Sequence, residues 1–333
     1  MAESHDSIQP VPSFSRRSFL GSLAVAAGTP WLRAADSGDK DEERLMVPIG
    51  APPSRVIEVR SAYVVQGPQT HPQLLREMLA KTLTALTEKP TAQAAWQSIL
   101  TPRDVVGLKF NRSGQTLLGT APPFAEALIE SLMDAGIAPE NIVCMEEPDG
   151  VAGRYGTTYP TFGFDRAPTE FGSGRDQLAS VLDQVTAIIS VPFLKTHNIA
   201  GMTCSLKNLS HALVKHPARY HAGRCSPYIA DIVSIPRIRN KLRVCLVNAL
   251  RVVFDKGPEG QGDTISDEGL ILASFDPVAV DAVGLEVLNN IRRERRLGAI
   301  AKSSQVVPFL RAAHLRGLGM AASQGIQRIE YSL

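Results

Sequence analysis

The sequence predicts a three-layer α/β fold: a mostly parallel sheet with helices on both faces. Three observations carry this. From residue 104 onward, short apolar runs alternate with amphipathic stretches, as in repeated strand–helix–strand units. Two of those runs, 187–191 and 242–250, are apolar throughout instead of alternating, which suits strands buried on both faces. The 333 residues are 44% hydrophobic and 20% charged, enough for a substantial core.

Residues 55–65 alternate as a strand. Residues 71–87 place Leu74, Leu75, Met78, Leu79, Leu83 and Leu86 on one helical face, and 92–100 continue as a shorter helix. The next unit is strand 104–110, helix 122–135 and strand 141–145. Pro122 fits that helix's first turn, and Gly136 ends it. Residues 149–175 read as a long loop or lid, 178–184 as a helix and 187–191 as a strand stopped by Pro192. Lys195, Thr196 and His197 then fall in a loop that leads into a helix carrying Lys207, Asn208 and His211. Strand 242–250, a Gly- and Asp-rich loop over 257–269 and strand 270–274 follow. Asp276 caps a helix with Pro277 at its first position, running to about residue 290. Residues 309–316 form a last helix and 329–332 a terminal strand.

The domain reading is an export signal over 1–35, a leader and linker over 36–53, and a single α/β domain over 54–333. Segments near 149–175 and 215–228 are expected to be mobile. Ser15-Arg16-Arg17-Ser18-Phe19-Leu20 precedes an Ala-rich apolar run, which looks like a twin-arginine signal. The expected location is therefore periplasmic or otherwise extracytoplasmic, with the twin-arginine machinery as a partner. A membrane enters only if the signal stays uncleaved, because the apolar run is short for a span. Outside the signal, 32 basic and 31 acidic residues nearly balance, giving no electrostatic case for nucleic acid. Cys144, Cys204, Cys225 and Cys245 are too few and too scattered for a disulfide framework.

Parallel sheets bind ligands at the carboxyl ends of their strands. Lys109, Asn111 and Arg112 lie at one such end, Glu146, Glu147 and Asp149 at a second, Lys195 and His197 at a third, and Asn248, Arg251 and Asp255 at a fourth. A lysine beside a helix-N-terminal loop suits phosphate or carboxylate. Lys195 and Lys207 are thus the expected anion-holding residues, with His197 as general acid/base or metal ligand. Lys109, Asn111, Asn208 and Asn248 are expected to bind substrate. A cation such as Lys207 in the first turn opposes the helix dipole, which a bound anion would offset. The alternative is a transition metal held by His197, Cys204, His211 and Glu147, although these spacings match no compact zinc motif. Gly114 to Gly119 has the spacing of a phosphate loop, but Thr120 stands where the lysine belongs.

VPFLKTH at 191–197, SLKN at 205–208, IADI at 229–232 and SFDPVAVDAVG at 274–284 resemble, in order, the motifs of the bacterial family named domain of unknown function 362. The resemblance runs over roughly residues 103–330. It implies a fold and a site around Lys195, His197 and Lys207, and it implies no reaction. Some members of that family carry iron–sulfur ferredoxin modules, whose cysteine quartet this chain lacks. The family commonly has Asp where this chain has Asn248. Asp281, inside the last motif, is expected to pair with Lys195 or Lys207.

The functional expectation is an enzyme acting on a small anionic substrate. The alternatives are a metal or cofactor carrier with a redox accessory role, and a non-catalytic binding module.

Overall fold

The computed structural model describes residues 45–333 except 48, 49, 149, 159, 161, 162 and 302–305. The expected export signal, most of the leader, and Asp149 lie outside the described residues.

Nine strands form the central sheet: β1 (Ser54–Arg60), β2 (Val106–Lys109), β3 (Ile142–Met145), β4 (Ala187–Ser190), β5 (Phe193–His197), β6 (Gly201–Thr203), β7 (Leu242–Val253), β8 (Ile265–Ser274) and β9 (Ile326–Ser332). Their spatial order is β9-β1-β8-β7-β4-β2-β3, with β5 also beside β7 and β6 beside β5. The β1–β9, β7–β4, β4–β2 and β2–β3 pairs are parallel, whereas β8 is antiparallel to both neighbours. The sheet is therefore mixed and mostly parallel. A short link of about ten residues joins β7 to β8, too little chain for a parallel crossover, so the pair runs antiparallel.

Period-two alternation divides the sheet's side chains between two cores. Ala187 and Ile189 enter one and Ile188 the other; Val244 and Leu246 enter one, Cys245 and Val247 the other. The first face is covered by α1 (Pro72–Thr87), α2 (Ala92–Ile99) and α3 (Ala121–Asp134). The second is covered by α4 (Ser205–Ser210), α5 (Tyr228–Val233), α6 (Pro277–Glu294) and α7 (Pro308–Leu315). Helix α6 starts as its sequence dictates: the Asp276 carboxylate accepts from Val278 N at 2.8 Å and Ala279 N at 2.9 Å, with Pro277 at the first position.

Two differences from the sequence reading shape the site. Pro192 interrupts the strand without ending it. Lacking an N–H, it still offers a carbonyl, which accepts from Asn248 N at 2.9 Å. The twelve-residue β7 therefore pairs its first half with β4 and its second half with β5. Lys195 and His197 consequently lie on a strand, not in a loop. Strand β8 likewise extends back through Gly269, inside the expected loop. Gly269 has φ +53° and a Cβ there would sit 2.0 Å from Ser61 O, so only glycine lets β8 pass so close to the end of β1.

The two segments expected to be mobile are tethered to each other. Thr169–Phe171 and Gly174–Asp176 form a hairpin, and Pro217–Cys225 is a 3₁₀ segment. Asp176 joins them, accepting from His216 N at 3.0 Å and Tyr220 Oη at 3.0 Å, with His216 Nδ1 at 2.8 Å.

Candidate active site

Residues two apart on a strand share a face, so β5 sends Lys195 and His197 to one side. Its partner β6 sets Thr203 opposite Lys195 and Gly201 opposite His197. At the tight β5–β6 turn, His197 Nδ1 accepts from the backbone N–H groups of Ile199 and Ala200, each at 3.2 Å. A nitrogen that accepts carries no proton, so the neutral ring holds its hydrogen on Nε2. Burial, then the charges of Lys207, His221 and Lys195, push the His197 pKa down to about 3. In this tautomer His197 is a neutral hydrogen-bond donor, with no free lone pair for a base or a metal and no imidazolium proton to give as a general acid.

Lys195 is fully buried. Its Nζ donates to Ser113 O at 2.6 Å and Ser113 Oγ at 3.0 Å, lying against Gly114, where a Cβ would come within 3.4 Å of it. Gly114 has φ +88°. The glycine turn that lacked a lysine of its own thus receives one from β5. Exposed Glu259 stands one step away, accepting from Ser113 Oγ at 2.9 Å. Burial lowers the Lys195 pKa to about 8; Glu259 opposes this and Lys207 adds to it. Lys207 is 9% exposed, and among the described residues its ammonium has no hydrogen bond or ion pair. Burial depresses its pKa as well, with the Cys225 sulfur acting in the opposite direction. Two buried ammonium groups therefore flank His197, with no carboxylate among the described residues in contact with either.

Lys109 behaves differently. Its Nζ donates to Glu146 Oε2 at 2.8 Å, Asn208 Oδ1 at 2.9 Å and Phe110 O. All three hydrogens are used, so this expected substrate-binding residue buttresses the floor of the site instead. Asn208 completes the brace, donating to Lys109 O at 2.8 Å and Ser190 Oγ at 3.2 Å. Asn248, also expected to bind substrate, is turned to Thr120: Oδ1 accepts from Thr120 Oγ1 at 3.3 Å and Nδ2 donates to Thr120 O at 3.2 Å. This ties β7 to the start of α3. Asn111 alone of the expected neutral binders keeps a buried side-chain oxygen with no partner.

Asp281 corrects a further expectation. It pairs with neither lysine: Oδ1 accepts from Ser205 N at 2.7 Å and Oδ2 from Leu206 N at 3.1 Å, so it caps α4. The first N–H groups of α4 are thus satisfied by a side chain of the protein, so the helix N-terminus is not an open anion seat. Burial raises the Asp281 pKa to about 7.

The expected metal ligands separate into three places. Cys204 is fully buried at the other end of α4, hydrogen-bonded to Asp281, and its thiol pKa is raised by burial. Glu147 accepts from Ala152 N at 2.7 Å, capping the helix Val151–Tyr155. His211 instead meets His221 and Cys225, their ligand atoms all within 4.8 Å of one another. His197 stacks on His221, ring centroids 5.7 Å apart. All four cysteines are free thiols. Ser113 and Glu259 escaped sequence reasoning, since only the fold brings residue 113 and residue 259 to Lys195.

No curated protein matches the chain. Residues 169–286, which run from the 169–176 hairpin through β4's extension β5, the lysine helix α4, β7 and β8 into α6, match the family described as "Domain of unknown function (DUF362)", and the chain resembles that family over this span.

Proposed function

We propose that the protein is an enzyme acting on a small anionic substrate, a phosphate or carboxylate, at the carboxyl edge of the parallel strands. Lys195 and Lys207 hold the anion, and the Nε2–H of His197 donates a hydrogen bond to it. The observation that carries this reading is a pair of buried ammonium groups with no carboxylate in contact among the described residues. An unpaired buried charge costs several kcal/mol, and a bound anion removes that cost. Asn111, with its buried oxygen unpaired, supplies a further polar contact. Lys109, Asn208 and Asn248 keep the rim rigid, so the anion meets a preorganised cradle.

Isothermal titration with orthophosphate, and separately with acetate and oxalate, tests the reading on the whole chain. Saturable binding that weakens at least tenfold in both K195M and K207M is expected. Equal affinity in wild type and variants, or no saturable binding of any of these anions, overturns it. The same reading places the protein outside the cytoplasm through the twin-arginine route. An Arg16→Lys, Arg17→Lys double variant should then remain in the cytoplasmic fraction.

A further inference from the structure

We propose that His211, His221 and Cys225 form a transition-metal site that binds a zinc-class divalent ion through two imidazole nitrogens and a thiolate, leaving a fourth position open. Both rings are already in the ligating tautomer. With the Ser210 hydroxyl hydrogen on Lys207 O at 3.1 Å, the 3.0 Å contact with His211 Nδ1 is made by a proton on that nitrogen. His221 Nδ1 lies 3.2 Å from Pro217 O, and a carbonyl only accepts, so this Nδ1 also carries the proton. Each ring is left with a lone pair on Nε2. Metal-binding histidines are held by this same device, the second nitrogen donating to a carbonyl or hydroxyl oxygen.

Two further observations point to a ligand. His211 is 8% exposed and lies near the Tyr220 backbone, yet its buried Nε2 makes no hydrogen bond of normal geometry, an omission that folded proteins rarely tolerate. The chain also strains to present the sulfur. Gly223, Arg224 and Cys225 have successive φ values of 56°, 57° and 64°. Arginine and cysteine in the left-handed region each cost about 1–2 kcal/mol, and such strain persists where the surroundings fix a functional geometry. Asp176 holds the segment ahead of His221 through His216 and Tyr220, and Ser226 Oγ, donating to Pro308 O at 3.3 Å, holds it beyond Cys225, so the loop is anchored on both sides of His221.

The donor set decides the class of ion. Imidazole with thiolate selects zinc, iron, cobalt or copper and disfavours magnesium and calcium. With Zn–N of about 2.0–2.1 Å and Zn–S of about 2.3 Å, tetrahedral ligand atoms stand roughly 3.5 Å apart. The 4.8 Å limit observed here closes to that value with shifts of about an ångström. On binding, the metal–sulfur bond forms as the Cys225 thiol proton leaves to solvent. Three protein ligands with an open fourth position is the catalytic pattern rather than the closed structural one. Lys207 and the His197 ring lie beside the three ligands. On the proposed function above, which this clause rests on, the fourth ligand is the substrate anion.

The test uses full-length protein stripped with chelator and titrated with Co(II), then with Zn(II) in competition. One equivalent of Co(II) with a thiolate-to-metal charge-transfer band in the near ultraviolet, displaced by Zn(II), is expected. The band should vanish in C225S, and Co(II) affinity should fall at least tenfold in H221A. A wild-type protein without the band, or an H221A variant with unchanged affinity, overturns the proposal. Far-UV circular dichroism accompanies each variant. If C225S misfolds, half-buried His221 decides the matter, since its ring sits on an outer turn. Orthophosphate titration of the stripped protein reports on the lysine site by itself, so failure of one site is distinguishable from failure of the other.

Discussion

Lys109 and Lys195 sit on neighbouring parts of the same sheet and are equally buried, yet they are built for different work. Around Lys109 the protein supplies a carboxylate, an amide and a carbonyl, one for each ammonium hydrogen. Around Lys195 it supplies a serine, with Glu259 held one residue away, and around Lys207 it supplies no hydrogen-bonding partner among the described residues. Burial is common to all three, so burial alone says nothing about function. What separates a brace from a binding group is whether the fold has already satisfied the charge.

The largest effect should come from breaking the satisfied lysine. K109M leaves Glu146 and Asn208 facing an apolar side chain at the junction of β2, β3 and α4. Removing one partner of a buried pair costs about 3–5 kcal/mol, so chemical denaturation should show a loss of that order. A loss under about 1 kcal/mol would make the pair equivalent to a surface ion pair and end the contrast.

D281N comes next. Asparagine keeps an oxygen at only one of the two carboxylate positions, so one N–H at the start of α4 meets an amide NH2, and an unpaired buried N–H costs about 1–3 kcal/mol. The pH dependence is the sharper measure. Because the folded pKa is raised to about 7, folded Asp281 holds its proton more tightly than the unfolded chain does. Its contribution to stability is therefore complete below about pH 4 and is lost as pH rises through about 7. Wild-type protein should weaken over this window, and D281N should show a flatter profile. Parallel profiles would mean that another group sets the slope.

K195M tests the unsatisfied side and should have the opposite sign. Folding lowers the Lys195 pKa from 10.5 to about 8, so at neutral pH the buried charge opposes folding. A shift of this size corresponds to roughly 3 kcal/mol, of which the lost bonds to Ser113 return about 1 kcal/mol. Without anion, K195M should therefore be more stable at pH 7. That advantage should shrink as pH rises above 8 and vanish near 10.5, where the lysine is neutral in both states. A destabilised K195M at pH 7 would place Lys195 with Lys109 among the braces.

The contrast between these lysines was invisible in the sequence, although the lysines themselves were not. Fully apolar runs announced β4 and β7, and Leu75, Met78, Leu79, Leu83 and Leu86 announced α1, because burial patterns are local. Asp276 with Pro277 announced the start of α6 for the same reason. The course of β5 was hidden: proline usually ends a strand, and Lys-Thr-His after it looks like a solvated loop. Only the long β7 alongside shows that the strand resumes. Partner choice is less local still. Asp281 pairs with backbone N–H groups 75 and 76 residues away, and Lys195 with a serine 82 residues away, separations that no spacing rule encodes. For the same reason His211 met His221 and Cys225, whereas Cys204, one residue before α4, did not. The α4 helix and its flanking turns turn these side chains to different ends of one short segment.

The smallest structural effect is expected at His197. Its Nδ1 anchors the β5–β6 turn by accepting from Ile199 and Ala200, while its Nε2 has no partner among the described residues. Asparagine places an oxygen near the position of Nδ1 and readily accepts from N–H groups two and three residues on, so H197N should keep the turn while deleting the outward donor. Stability should change by less than about 1 kcal/mol, while orthophosphate affinity should fall about tenfold, the worth of one hydrogen bond to a charged group at roughly 1.5 kcal/mol. Alanine in the same place should lose both the turn contacts and the donor, so the two variants divide the residue into its halves. If H197N binds anion as tightly as wild type, Nε2 faces no ligand, and His197 belongs with Lys109 on the structural side of the comparison.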